Sequence, residues 1–344
     1  MHRSASLRGR GVARGAAVRT LAARHESLPL ARPFRISRGA RTVAEVVVVE
    51  LTGDGVTGRG ESVPYPRYGE SVEGVLAAIE SVRAALEAGA DREELMPLLP
   101  PGAARNAVDC ALWDLEAKQL GISVATRLVR PPLEPIVSAH TVVIDSPEAM
   151  AAAARSIAHV PLIKVKLDAD EPAARLRAVR AAAPEAMLIV DPNEGWDRAL
   201  LEAMQDVLIE ARVALLEQPV PADDDAWLEG FDYAIPIYAD EAVHVGGDLD
   251  RIAARYQGIN VKLDKTGGLT TALDLAAAAR ARGMGLMCGC MVGSSLSIAP
   301  AMHVARDADF VDLDGPLWMA EDRAGGVVDV GGTLMPPQSG FWGD

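Results

Sequence analysis

The sequence predicts an α/β protein in which a closed parallel barrel follows a smaller α+β unit. Three observations lead there. Through the C-terminal part, eight short β-rich runs alternate with Ala-, Leu- and Arg-rich helical stretches. Strands separated by helices pair in parallel, and eight of them close a barrel. The N-terminal part has another order, strands first and helices after. A length of 344 residues suits a barrel of roughly 200–250 residues with a smaller partner.

Residues 1–15 hold Arg3, Arg8, Arg10 and Arg14 among glycines and lack the apolar segment of a secretory signal, so they read as a flexible extension. Residues 16–60 read as strands. The run Val46-Val47-Val48-Val49 is flanked by charged residues, and Gly53-Asp54-Gly55 signals a turn. From Ser71 to Leu99 and from Ala103 to Leu120 the pattern is helical, with Asn106, Asp109, Cys110, Trp113 and Asp114 recurring at i, i+3, i+4 spacing. Residues 16–132 thus form the α+β unit. The barrel is expected over 133–318. Its strands are Ala139–Ile144, Leu162–Leu167, Met187–Val190, Val213–Leu216, Ile235–Ala239, Gly258–Leu263, Gly285–Cys288 and Phe310–Leu313. The Gly-rich tail, 319–344, is expected to return to the first unit.

Composition narrows the function. Hydrophobic residues make up 49 % of the chain, too many for a disordered polymer. A formal charge of −14 speaks against nucleic acid, whose phosphates need a basic footprint. No apolar run reaches the ~18 residues of a membrane span. The three cysteines, Cys110, Cys288 and Cys290, have no framework spacing and read as reduced thiols of a cytoplasmic protein. The Cys288-Gly289-Cys290 run lacks the second ligand pair of a structural zinc site.

The ends of the expected strands carry the chemistry. They bear Lys164-Val165-Lys166, Asp191-Pro192-Asn193, Glu217-Gln218-Pro219, Asp240-Glu241, and Lys262 with Lys265. Steps from Lys166 to Asp191, Glu217, Asp240 and Lys262 are 25, 26, 23 and 22 residues. One βα unit takes about that many, so the polar groups fall at one height on the carboxyl-end face, where barrel enzymes build their sites. Three facing carboxylates repel one another in a low-dielectric cavity. A hard divalent cation such as magnesium relieves that repulsion and keeps positions open for substrate. Lys164 and Lys166 share one strand face, and adjacent ammonium groups are expected to depress each other's pKa. Lys262 lies four strands on, opposite the pair. A substrate held between can lose a proton on one side and gain one from the other, while cation and lysine stabilise the enolate charge.

These runs, with Asp191-Pro192-Asn193-Glu194-Gly195-Trp196 and Lys262-Leu263-Asp264-Lys265-Thr266-Gly267-Gly268-Leu269, resemble the muconate-lactonising-enzyme subgroup of the enolase superfamily over roughly 18–335. The resemblance implies an N-terminal α+β capping domain, completed by the C-terminal tail, and a (β/α)7β modified TIM barrel. It implies one Mg2+ per subunit on Asp191, Glu217 and Asp240, acid/base roles for Lys166 and Lys262, and support of the enolate by Lys164. Asn193, Glu241 and Lys265 stand around that set. Within the subgroup the likeness is to dipeptide epimerases of the L-Ala-D/L-Glu type, cytoplasmic enzymes of cell-wall peptide recycling that are commonly homo-oligomers. In those enzymes an Asp-x-Asp pair grips the substrate ammonium, here Asp312 and Asp314, and two carboxylates on one strand face suit a cation. Family members also place a capping-domain arginine over the glutamate side chain. Arg38 in Ile36-Ser37-Arg38-Gly39 is the candidate, with Arg35 or Arg41 as alternatives. Ser294 or Ser295 could meet the substrate carboxylate, or simply cap a helix. Pro192 stands where relatives often have alanine.

N-acylamino-acid racemases, o-succinylbenzoate synthases and muconate cycloisomerases share the metal and the lysines. Acylated substrates carry no ammonium and have no need of Asp312 and Asp314. A Schiff-base barrel with Lys166 as nucleophile leaves three metal-type carboxylates unexplained. A binding protein that has only kept the fold leaves both the lysines and the carboxylates unexplained.

Overall fold

The computed structural model describes residues 19–344; the extension expected at 1–15 lies outside the described residues. Strands β1 (Thr20–Ile36), β2 (Gly39–Gly53) and β3 (Val56–Ser62) form an antiparallel sheet. Asp54 and Gly55, at φ 54° and 78°, make the β2–β3 turn, the doubly positive geometry that Asp-Gly favours in two-residue hairpins. Both faces of β2 are covered, which explains four valines in a row. Val47, Val49 and Leu51 face the helices of the cap, while Val46 and Val48 join the core shared with the barrel. Each buried valine contributes about 1.5–3 kcal/mol.

The helical stretch expected from Ser71 to Leu99 is broken into Val72–Ser81, Arg83–Glu87 and Arg92–Leu95. Ser71 caps the first and Asp91 the last. The helix Ala103–Leu120 lies on β3, where a Cβ on Gly60 would stand 2.1 Å from the Ala107 carbonyl oxygen. Only glycine permits that approach.

A short strand, β4 (Ile136–Val137), precedes the barrel. The barrel strands are β5 (His140–Val142), β6 (Leu162–Lys166), β7 (Met187–Asp191), β8 (Val213–Glu217), β9 (Ile237–Ala239), β10 (Gly258–Val261), β11 (Gly285–Gly289) and β12 (Phe310–Asp312), all parallel and in sequence order. Ala139 N donates to Val311 O at 2.8 Å and brings the two edge strands together. Period-two alternation layers the interior. Leu162, Ile189, Leu215, Tyr238 and Met287 fill the lower part. Two residues on, Lys164, Asp191, Glu217 and Asp240 form a charged layer, all buried.

Strand β14 (Thr333–Met335) pairs antiparallel with β4 on one side and with β13 (Val328–Asp329) on the other, a small sheet the sequence pattern did not reveal. The last residues then reach the cap. Gly343 N donates to Asp114 Oδ1 at 2.7 Å, Trp342 Nε1 to Arg59 O at 3.0 Å, and Val124 N to Gly343 O at 2.7 Å.

Candidate active site

A cavity of about 440 Å³ opens at the carboxyl ends of the barrel strands, beneath the β1–β2 hairpin and the loop after β3. Lys164, Lys166, Asp240, Lys262, Asp312 and Asp314 line its floor; Arg38, Arg41, Tyr65 and Tyr68 come from the cap. Lys166 on β6 and Lys262 after β10 are four places apart among eight strands, so they approach from opposite sides. Lys262 precedes the helical turn Leu263–Thr266, which ends the strand earlier than its apolar pattern suggests.

Charges alternate through the floor. Lys164 Nζ lies 3.0 Å from Asp191 Oδ2, 2.7 Å from Glu217 Oε2 and 2.8 Å from Asp312 Oδ2. Lys166 Nζ is 2.6 Å from Asp191 Oδ2, and Lys262 Nζ and Lys265 Nζ each stand 2.6 Å from Asp240. Burial opposes the charge of Lys164, but Asp191, Asp312 and Glu217 outweigh it and hold the pKa well above its ordinary value. This corrects the expected depression of Lys164 by Lys166: three carboxylates within 3.0 Å dominate one neighbouring ammonium. Lys262 is raised in the same way, by Asp240 and Glu217 against burial. Lys265 goes the other way, because burial outweighs Asp240.

Asp191, Glu217 and Asp240 neighbour one another but are not a preformed chelate. Among the described residues no three carboxylate, imidazole or thiol groups are set to hold an ion; ammonium groups lie between them. Their chemistry nonetheless fits a hard cation. Glu217 is pushed up to about 7, by burial first and then by Asp191. Its Oε2 is buried without a hydrogen bond among the described residues, Lys164 being close but out of line. Asn193, at φ 48°, braces Asp191 through N–H to Oδ1 at 2.8 Å and accepts from Lys166 Nζ at 3.1 Å. Glu241 is pushed up to about 7, by burial and then by Asp240 against the pull of Arg38.

Two groups are given no role by the sequence, although Gln218 stands in the Glu217-Gln218-Pro219 run. Asn260 donates to Glu217 Oε1 at 2.8 Å; it lies two residues before Lys262, so strand alternation could have found it. Gln218 accepts from Asp240 N at 2.9 Å and Ala242 N at 3.1 Å, fixing the turn that presents Asp240. Its φ of 33° leaves no sequence signal.

Asp312 and Asp314 both line the cavity. Asp312 Oδ1 is buried and has no hydrogen-bond partner among the described residues. Asp314 Oδ2 accepts from Thr141 N at 2.9 Å and Trp318 Nε1 at 3.2 Å. Burial, then Asp312, raises the pKa of Asp314.

Two expected substrate contacts are placed differently. Ser294 lies outside the cavity lining. It caps the helix Ser295–Ala305 and is engaged by Glu61 and by Arg323, whose Nε donates to its Oγ at 2.7 Å. Ser295 binds Asp322. Arg38 reaches the cavity, but its guanidinium is taken: Nη1 donates to Asn193 O at 2.9 Å, Nη2 to Tyr65 Oη at 3.0 Å and Glu241 Oε1 at 2.9 Å. Arg41 also lines the cavity, lies over the Tyr65 ring at 5.3 Å, and has no ion pair among the described residues.

A charged cavity at the carboxyl mouth of a parallel barrel, roofed by an α+β cap, defines an enolase-like enzyme fold. The mandelate racemase / muconate lactonizing enzyme N-terminal domain matches residues 18–128, and the enolase C-terminal domain-like family matches 148–339. The chain belongs to this family, the muconate-lactonizing branch of the enolase superfamily, as its motifs lead one to expect.

Among its relatives, the L-Ala-D/L-Glu epimerase of Escherichia coli is 49% identical over 89% of this chain and 96% of its own length. An N-acetyl-D-glutamate racemase of Pseudoalteromonas is 44% identical over 87% and 95%. An Agrobacterium tumefaciens enolase family member solved with sodium and L-Ala-L-Glu superposes with TM-score 0.93 at 49% identity, covering 94% of this chain and all of the other. A Cytophaga hutchinsonii dipeptide epimerase solved with Mg and D-Ala-L-Val has TM-score 0.87 at 26% identity, covering 95% and 98%.

Proposed function

We propose that this protein is a dipeptide epimerase, with L-Ala-L-Glu as the leading substrate. It inverts the α-carbon beside the C-terminal carboxylate by moving one proton off and another on. The observation that carries the reading is Asp312 Oδ1, a buried carboxylate oxygen with no hydrogen-bond partner among the described residues, at a cavity that also holds Asp314. An ammonium group completes such a site; an N-acyl group would leave the oxygen unsatisfied, at a cost of about 1–3 kcal/mol or more.

Lys166 and Lys262, on opposite sides, take and return the proton. Lys164, set among Asp191, Glu217 and Asp312, faces the negative charge that develops on the substrate. Asp191, Glu217 and Asp240 would hold one magnesium ion per subunit. Bound there, the ion would act as a Lewis acid on the substrate carboxylate. Arg41, exposed and without an ion pair among the described residues, is better placed than Arg38 to receive a glutamate side chain. The substrate class connects the enzyme to recycling of cell-wall peptides.

A second reading, racemisation of an N-acyl amino acid, draws on the 44% identical racemase and on the hydrogen bonds that already engage Asp314. One experiment separates the two: α-deuterium exchange in D2O across L,L-dipeptides and N-acyl amino acids, followed by mass spectrometry. Exchange with L-Ala-L-Glu is the expected result. Exchange confined to the N-acyl compounds overturns the dipeptide reading.

A further inference from the structure

Lys262 is held from behind by the cap. The helix Ala103–Leu120 turns Arg105, Asn106, Asp109 and Trp113 onto the segment that follows Lys262. Arg105 Nη2 donates to Thr266 O at 2.7 Å and its Nε to Gly267 O at 3.1 Å. Asp109 accepts from Thr270 N at 3.0 Å, and Trp113 Nε1 donates to Thr270 Oγ1, also at 3.0 Å. Gly267 and Gly268, at φ 77° and 111°, allow the close approach: a Cβ on Gly268 would stand 2.4 Å from Asp109 Oδ2.

Asp264 is the centre of this joint. It is 6% exposed and lies outside the cavity lining. Its Oδ1 accepts from Asn106 Nδ2 at 2.8 Å and from Val63 N at 2.9 Å. Val63 is part of the cavity wall. The turn Leu263–Thr266 that carries Asp264 begins right after Lys262, and its Lys265 grips Asp240. One buried carboxylate therefore connects the wall of the cap to the turn that aims Lys262. Burying it is costly unless its bonds are made, and made bonds of this kind fix a single register between two packed units.

We infer that Asp264, held by Asn106, is a positioning residue that sets the reach of Lys262 into the cavity. The inference rests on the reading that Lys262 moves a proton at the α-carbon. Asn106→Ala removes one of the two donors, Asp264→Ala removes the acceptor, and Asp264→Asn keeps it. With L-Ala-L-Glu, the two alanine variants lower kcat for epimerisation about tenfold to a hundredfold, with KM moving less than about threefold. In D2O, α-deuterium exchange without inversion continues at nearly the wild-type rate from the epimer that presents its proton to Lys166. It collapses from the epimer that presents its proton to Lys262. Asp264→Asn restores most of the activity.

A folded Asn106→Ala enzyme that epimerises at the wild-type rate overturns the inference, and so does an equal fall in exchange from both epimers. Should Asp264→Ala fail to fold, Asn106→Ala decides alone. A wild-type enzyme that exchanges no dipeptide proton from either epimer removes the functional reading itself. An active wild type beside unimpaired variants removes only the role of Asp264.

Discussion

Arg38 Nη2 donates to Glu241 Oε1 at 2.9 Å, a bond that ties the β1–β2 hairpin of the cap to the loop after β9. The same guanidinium reaches Glu194 Oε2 at 3.3 Å, and Arg67 holds Glu194 through two further hydrogen bonds. The hairpin is therefore latched to the barrel by Arg38, while Arg41, three residues on, lines the cavity and has no ion pair among the described residues.

That division of labour gives opposite expectations for the two arginines. Arg41→Gln should lower kcat/KM for L-Ala-L-Glu about tenfold to a hundredfold, the worth of a charged hydrogen bond, and leave an apolar dipeptide nearly unaffected. Arg38→Gln should loosen the latch and lower kcat/KM for both substrates in similar proportion. Steady-state kinetics on the pair of dipeptides checks this. A selective loss in Arg38→Gln instead would return the specificity role to Arg38.

The lysines should separate by face. Lys166→Ala and Lys262→Ala should each slow epimerisation by about 10²–10⁴. Each should nonetheless keep α-proton exchange from one epimer, and the two variants should keep opposite ones. NMR of the α-proton in D2O reads both. Exchange from the same epimer in both variants would show that the two lysines do not serve opposite faces.

Metal removal tests the carboxylates. Dialysis against EDTA should abolish exchange and added magnesium restore it. Glu217→Gln should weaken magnesium binding in calorimetry and lower kcat by at least about a hundredfold. Borohydride with substrate should leave no covalent adduct on Lys166. Full activity after EDTA, or a trapped adduct, would contradict the metal assignment.

Much of this site was legible in the sequence because a barrel repeats. Lys166, Asp191, Glu217, Asp240 and Lys262 recur at the length of one βα unit, and the fold places them all on the cavity or in the charged layer beneath it. Spacing says nothing, however, about who neutralises whom. The charge of Lys164 is decided by three carboxylates on three other strands, and pairing across strands is invisible to a local pattern. The engagement of Arg38 is hidden for the same reason, since its partners Asn193, Glu194 and Glu241 lie more than 150 positions away in the chain. Ser294 read equally well as a helix cap, and Glu61 from β3 holds it there. The bottom sheet of β4, β13 and β14 consists of strands of two or three residues, too short for any periodicity to register.

The joint between cap and barrel should also leave a mark on stability. Burial pushes Asp264 up to about 7 against the donors Val63 N and Asn106, with Glu70 and Glu61 adding repulsion. Burial likewise pushes Asp109 up to about 6, against its bonds to Thr270. In the unfolded chain both titrate near their ordinary value of about 3.9. Between roughly pH 4 and 7 the folded state therefore binds more protons than the unfolded state, and stability contributed by Asp264 falls as pH rises through that window. The slope is at most about 1.4 kcal/mol per pH unit, and it flattens above the folded pKa. Asparagine at 264 keeps the acceptor and cannot ionise. Asp264→Asn should accordingly match the wild type most closely at acid pH, gain on it up to about pH 7 and then level off. Thermal melts of both proteins from pH 5 to 8 measure the difference. A gap in melting temperature that stays constant over the range would mean that Asp264 is already ionised in the fold, and that the cap and the turn behind Lys262 are joined through a charged rather than a neutral carboxyl group.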